Sequence, residues 1–263
     1  MASLVHRATS ACFNYLWSGW GAASSLLLFF AAWQLAADIF GPLVLPQPLH
    51  AINRLWELLH HATPWHDIAV TARRAISGFV LSLLAGSVLG IGAGMSMTTS
   101  MLSRPVITVL MGIPPVAWLI LALLWFGMGD GTPVFTVFIA CFPIIFLGAL
   151  QGTRTLDGQL KEVALVFRIP MTMRWKDLYL PHIFSYLFPA WSSALGMSWK
   201  IVVMAELLST DDGIGAALAV SRSHLDSVTS MAWILALIST LLAVEYILLE
   251  PLKRHVEAWR EIS

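Results

Sequence analysis

Charge is scarce in this chain. Of 263 residues, 15 are Lys or Arg and 15 are Asp or Glu, 11% together, against about 25% in an average soluble domain. So few charges cannot cover a water-facing surface, which excludes an ordinary cytosolic enzyme and a disordered regulator. The balanced charge, with no basic patch, excludes a nucleic-acid binder. Cysteine is scarcer still. Cys12 and Cys141 make neither a disulfide framework nor a thiolate metal site. No Gly-x-x-x-x-Gly-Lys-Ser/Thr loop is present to cradle phosphates, so any ATP chemistry falls to another polypeptide. Nucleophilic chemistry is missing as well. Gly196-Met197-Ser198 offers a serine, but Trp199 stands where an intramembrane serine protease has glycine, and the last apolar segment carries no histidine base. His60, His61 and His66 lack acidic companions at metal-ligand spacing and read as a surface loop.

Apolar residues are what the chain has in excess, at 58%. A membrane helix needs about 20 of them in succession, because each adds about 1.5 Å across a hydrocarbon core of about 30 Å. Six segments meet this demand: Trp20–Ile39, Ala75–Met97, Pro105–Met128, Thr132–Gln151, Pro181–Leu208 and Val228–Leu249. The first is too long, and lacks the cleavage site, for a signal peptide. With the N-terminus in the cytoplasm, ten cations fall inside: Arg7, Arg104, Arg154, Lys161, Arg168, Arg174, Lys176, Lys253, Arg254 and Arg260. Four, Arg54, Arg73, Arg74 and Arg222, fall outside. That asymmetry obeys the positive-inside rule and places both termini in the cytoplasm. The connection Gly41–Arg74 is punctuated by Pro42, Pro46, Pro48 and Pro64, and its Leu49–His60 part has helical spacing suited to a membrane surface.

Polar residues concentrate in the inner connection Gly152–Leu180, with five cations and Asp157, Glu162 and Asp177. Asp157 can cap a helix running to about Phe167, Pro170 breaks it, and a second short helix over Thr172–Tyr179 leads to Pro181 at the opening of the fifth span. The product is a charged helix–break–helix with Val163, Val166, Phe167, Met171 and Trp175 among the charges: either a solvated loop or a docking surface for a cytosolic partner. Glu162-Val163-Ala164, Arg168 and Leu178-Tyr179-Leu180-Pro181 match, without a gap, the spacing of the inner-loop signature of permeases from bacterial ATP-binding-cassette importers. In that signature Ala stands at 163 and Gly at 168. The sequence also resembles the nitrate/sulfonate/taurine branch of that family in Ile113-Pro114-Pro115-Val116-Ala117-Trp118, Leu124-Trp125-Phe126-Gly127, Phe142-Pro143-Ile144-Ile145, Trp199-Lys200 through Ala205-Glu206-Leu207, and Asp212-Gly213-Ile214-Gly215. The resemblance runs from about Trp33 to the end.

What the resemblance implies is an all-helical integral membrane protein of the type I importer kind. It would be one permease domain over residues 1–263, with six spans and a cytoplasmic coupling loop, in the bacterial inner membrane. Its expected partners are a second permease copy, two cassette subunits holding ATP and Mg, a substrate-binding protein outside, and the lipid bilayer, with no nucleic acid. The expected coupling residues are Glu162, Val163, Ala164, Phe167, Arg168, Ile169, Pro170, Leu180 and Pro181, with Pro170 supplying the break that glycine at 168 supplies in relatives. The chain itself would hold no cofactor and no metal.

Charges within a span are functional suspects. Lys200 and Glu206, six apart, face different sides of a straight helix. Lys200 either lends positive potential to an anion route or bonds neighbouring helices, and Glu206 either pins the outer end of its span or sits at the interface. Pro114 and Pro115 remove backbone donors within the third span, and with Trp118, Met204, Lys200 and Glu206 they are the pathway or gate candidates. Gly86, Gly90 and Gly94, four apart, form a ridge for close helix packing. Thr210–Thr229 reads as an outer loop or, by family analogy, a re-entrant outer gate. A secondary carrier is the alternative, but it needs carboxylates deep in the spans and usually internal repeats.

Overall fold

The computed structural model describes residues 21, 24–156, 164 and 166–249. The described residues are mostly helical. In chain order the helices are α1 (Ser24–Phe40), α2 (Pro48–Leu59), α3 (Ala62–Gly94), α4 (Met97–Gly112), α5 (Pro115–Phe126) and α6 (Gly131–Arg154), then α7 (Leu180–Ser209), α8 (Ile214–Ser223) and α9 (Ser227–Val244). Residues Met171–Met173 and a π-helical turn, Arg174–Tyr179, lead into α7, and a second π turn, Glu245–Leu249, follows α9. The chain divides into two compact units, Met1–His60 with Ser221–Leu235 and His61–Val220 with Ala236–Ser263.

The larger unit is organised on α6, which packs against α3 on one side and α7 on the other. The α3 contact is made by glycine. A Cβ on Gly78 would stand 2.7 Å from Val137 Cβ, one on Gly86 3.0 Å from Ile145 Cβ, one on Gly90 2.6 Å from Ala149 Cβ, and one on Gly94 2.5 Å from Thr153 Cβ. Two backbones this close gain dispersion and short polar contacts that bulkier side chains would forbid. Ser82, in the same row, donates its hydroxyl to Phe138 O across the gap at 3.0 Å. Each α3 residue faces one 59 positions later (78 with 137, 86 with 145, 90 with 149, 94 with 153), so α3 and α6 run parallel. Gly148 meets Ala190 and Gly152 meets Ile183 in descending order, so α6 and α7 run antiparallel.

Parallel α3 and α6 require the chain to return between them. Helices α4 and α5 make that return, bent by 91° at the break between them. The expected third span, Pro105–Met128, is therefore two helices and not one kinked helix. Ile113 and Pro114 are both extended, at ψ 123° and 144°, because each precedes a proline ring that clashes with a helical neighbour. Pro115 then starts α5, where its missing N–H costs nothing.

Among the described residues, three helices can cross a membrane by length and composition, α3, α6 and Ser227–Ile247, or four if the α4–α5 pair counts as one. The remaining two of the six expected spans differ in physical terms. Helix α1 is apolar but short at Ser24–Phe40, and Trp20, where its span was expected to begin, lies outside the described residues. Helix α7 has 30 residues, ample length, but it carries Pro181, His182, Lys200 and Glu206. Helix α3 begins 13 residues before the expected Ala75, so Arg73 and Arg74 belong to a helix and not to a loop.

In the smaller unit, α2 is strongly amphipathic, with Leu49, Ile52 and Trp56 exposed and Ala51 buried. Arg54 on α2 donates to Thr229 Oγ1 at 3.0 Å, and Asp226 Oδ1 accepts from Thr229 N at 2.9 Å, capping the start of α9. The hydroxyl and the N–H of Thr229 hold the Asp226 carboxyl below its ordinary range. Leu43, Val44, Pro46, Leu225, Met231 and Ile234 line an open apolar cleft beside this cap.

Candidate functional site

Three places carry the expected residues. The first is the turn before α7. Glu162 and Val163 lie outside the described residues. Ala164 is buried, while Val166 and Phe167 are 78% and 75% exposed. Ile169 N donates to Ala164 O at 3.1 Å and Arg168 has φ 48°. A left-handed residue followed by a bond back five positions is the Schellman way of ending a helix. The break therefore sits at Arg168 itself, where glycine was displaced, and not at Pro170. Pro170 instead stands extended at the start of the next helix, at φ −61° and ψ 147°. Arg174 Nε closes the turn on Ile169 O at 2.7 Å.

The second short helix expected over Thr172–Tyr179 does not stand alone. It winds through the π turn into α7. Pro181 has no N–H to donate and its ring crowds the carbonyl four residues back, and widening to π geometry relieves both. The second π turn ends at Leu249, again two residues ahead of a proline in the sequence, Pro251. Leu180 and Pro181 are exposed.

The second place is the set of pathway candidates. Pro114 is exposed; Pro115 and Trp118 are half-buried at the start of α5. The Trp118 indole N–H is buried with no hydrogen-bond partner among the described residues. On α7, Ser193, Lys200 and Leu208 are exposed, with Met197 and Met204 half-buried between them. This spacing makes one face of α7, uncovered by the other described residues. Glu206 is not on it. Its side chain is fully buried, whereas Lys200 is exposed.

Glu206 belongs to a third place, which contains the residue that reading the sequence missed. Arg74, 3% exposed, reaches from α3 to four oxygen-bearing groups. Its Nε donates to Asp130 Oδ1 at 2.7 Å. Its Nη1 donates to Glu206 Oε1 and to the Asp212 carbonyl, both at 2.9 Å. Its Nη2 donates to Asp212 Oδ1 at 2.5 Å and lies 2.5 Å from Asp130 Oδ1. All three guanidinium nitrogens are thereby engaged, in four hydrogen bonds.

Glu206 Oε2 accepts from Thr71 Oγ1 at 2.8 Å and from Gly215 N at 3.0 Å. Thr71 Oγ1 accepts from Ile214 N at 2.8 Å, and Asp67 Oδ1 from Gly213 N at 3.1 Å. Three successive N–H groups at the start of α8 are thus satisfied by side chains of α3 and α7. Gly213 has φ 98°, and a Cβ there would lie 2.6 Å from Glu206 Oε1. That is the physical content of the Gly213-Ile214-Gly215 motif: it lets backbone wrap a buried carboxylate. The assembly ties α3, α6, α7 and α8 together at one end. At the other end, Arg154 Nη1 donates to Ser100 Oγ at 2.7 Å, joining α6 to α4.

A buried charge network at one end and a solvent-facing elbow before α7 fit a membrane permease, and the comparisons decide the matter. Residues 82–256 match the family described as the binding-protein-dependent transport system inner membrane component. The chain belongs to that family. A protein of Methanocaldococcus jannaschii named as an ABC transporter permease is 31% identical over 222 residues, covering 80% of this chain and 82% of that one. The nitrate import permease protein of Synechococcus elongatus is 27% identical over 201 residues, 72% of each chain. The taurine transport system permease protein of Escherichia coli is 25% identical over 235 residues, 86% of this chain and 84% of that one. Among solved structures, the MetNI methionine ABC transporter in inward-facing conformations is similar at a TM-score of 0.55 and 15% identity, covering 80% of this chain and 98% of that one. At that identity the likeness establishes the fold, an all-helical type I importer permease, and nothing about substrate. Components of this transport family are not themselves enzymes.

Proposed function

We propose that this chain lines the translocation pathway of an ATP-driven importer for a small anion of the nitrate, taurine or sulfonate class. Two copies pair around one route. A separate cassette subunit docks on each inner elbow and hydrolyses ATP with Mg. A binding protein delivers the solute from outside. The observation that carries this reading is the elbow at 164–170, where Val166 and Phe167 stand exposed on a turn fixed by its own backbone bonds. Apolar side chains held out on a rigid turn suit insertion into a groove. With the excess of cations placed inside, the elbow faces the cytoplasm, both termini lie there too, and the Arg74–Glu206 end faces out.

The mechanism follows from that placement. The π turn joins the elbow to α7 without a flexible linker, so rotation of a docked subunit is transmitted to α7. Rigid-body rocking of α7 and its neighbours then alternates access to the route. The uncovered face of α7 carries Lys200, a positive charge facing away from the chain's own core and suited to an anion. Pro114 and Pro115 bring no backbone donor to the break between α4 and α5, and the Trp118 indole N–H beside it is buried without a partner among the described residues, which supports these three as route candidates. The named relatives handling nitrate and taurine support the anion class.

The test is uptake into proteoliposomes containing this chain with its cassette subunit and binding protein. Accumulation of labelled nitrate or taurine that requires enclosed ATP and the binding protein supports the reading. Accumulation driven by an ion gradient alone would make the chain a secondary carrier.

A further inference from the structure

The elbow carries a residue that its own backbone disfavours. Arg168 sits at φ 48°, the left-handed region where Cβ crowds the carbonyl oxygen and only glycine is unpenalised. Glycine at this position would make the same turn with less strain. Backbone bonds hold the turn, but among the described residues no side-chain contact of Arg168 itself offsets the penalty. Arg168 is exposed, and no ion pair or side-chain hydrogen bond joins it to another described residue. It directly follows Val166 and Phe167, the most exposed apolar pair of the elbow. Arg174, the nearest described cation, is already committed to the Ile169 carbonyl. The turn therefore presents a compact tip of two apolar side chains and one guanidinium without a partner among the described residues, held in a fixed geometry.

We propose that Arg168 is an ionic docking contact, pairing with a carboxylate on the rim of the cassette-subunit groove that receives Val166 and Phe167. This rests on the docking reading above and deepens it. The division of labour is physical. The apolar pair supplies affinity by leaving water, whereas a rim charge acts on association rate, salt dependence and partner choice. A planar guanidinium, fixed at the tip by a rigid turn, is suited to bidentate recognition of a carboxylate. Strain at an exposed position, with no side-chain partner among the described residues, is what a contact completed only in the complex looks like from one side. The arginine thus makes this elbow selective for a cassette subunit with an acidic rim over one shaped for the glycine form.

The experiment uses the full chain in nanodiscs and its cassette subunit, with dissociation constants measured at low and high salt. Arg168→Gly keeps the turn and removes the charge. It should raise thermal stability while weakening docking roughly two- to fivefold at low salt, the range of one exposed ion pair. It should also flatten the salt dependence. Arg168→Lys should retain most of the salt dependence, and Arg168→Glu should weaken docking further. Equal or tighter docking of Arg168→Gly with an unchanged salt slope would overturn the proposal. So would a difference seen only on binding to anionic lipid vesicles, which would assign the guanidinium to headgroup phosphates. Phe167→Asp is the separate control. If it too leaves docking intact, the docking reading itself fails; if it abolishes docking while Arg168→Gly changes nothing, only the ionic contact is wrong.

Discussion

Arg74→Met is the substitution whose effect the structure fixes most tightly. It removes the only described cation in contact with Glu206, whose side chain has no exposure to water. Four guanidinium hydrogen bonds are lost, but they are not equal. Asp130 and Asp212 are 53% and 45% exposed, so water replaces arginine there and each bond contributes little. Glu206 has no such replacement. Breaking a buried pair from one side destabilises by about 3–5 kcal/mol. At about 2–4 °C per kcal/mol for a chain of this size, the melting temperature in detergent should fall by roughly 6–20 °C. The double variant Arg74→Met with Glu206→Met tests the reasoning. Removing both charges abolishes the uncompensated one, so most of the loss should return. The residue that does not return should be about 1–3 kcal/mol, because Gly215 N and Thr71 Oγ1 then lose their acceptor. A thermal-shift series on wild type, both single variants and the double variant gives the coupling energy. Single and double variants equally destabilised would refute the account of Glu206 as a buried charge held by Arg74.

Further expectations are independent of that network. Gly90→Ala places a Cβ 2.5 Å from the Phe146 carbonyl, so α3 and α6 must part and stability should fall by about 1–3 kcal/mol; Gly92→Ala, with nothing within 4 Å, should be near neutral in the same melt. Asp226 titrates below its ordinary value in the folded chain, so its cap contribution is complete above about pH 4 and fades as pH falls through the lowered value. Hydrogen exchange at the first amides of α9 should show that loss on acidification, Asp226→Asn should remove the pH dependence, and Asp226→Ala should cost about 1 kcal/mol at neutral pH. Lys200→Met should raise the half-saturating anion concentration for uptake roughly tenfold, the order of one charge-assisted bond; unchanged uptake would remove Lys200 from the route.

The glycine row shows how far the sequence could be read. Gly86, Gly90 and Gly94 announce a packing ridge by their spacing, and the same spacing continues backward through Ser82 and Gly78 to Arg74. A charge at the head of a small-residue row is a legible sign of burial. It was obscured by Arg73 beside it, which made the pair look like a loop end. The acids that meet Arg74 come 56, 132 and 138 residues later, and no local pattern can pair them. The Pro114-Pro115 step signalled a disturbance but not its size, because a kink and a 91° break differ in how the flanking helices pack. Arg168 was visible as a departure from the family spacing. That its backbone is left-handed is a matter of how the helix ends, since the bond from Ile169 N to Ala164 O fixes it. The π turns follow from Pro181 and Pro251 in hindsight, yet proline alone also permits a kink or a stop.

The account turns on the elbow being gripped by a nucleotide-hydrolysing partner, and site-specific photo-cross-linking addresses this most directly. With a photoreactive side chain introduced at Phe167 in the assembled transporter, the adduct should contain the cassette subunit, and cross-linking it should arrest ATP-driven uptake. A cassette subunit captured only from positions outside 164–180, with Phe167 labelling lipid or nothing, would contradict it.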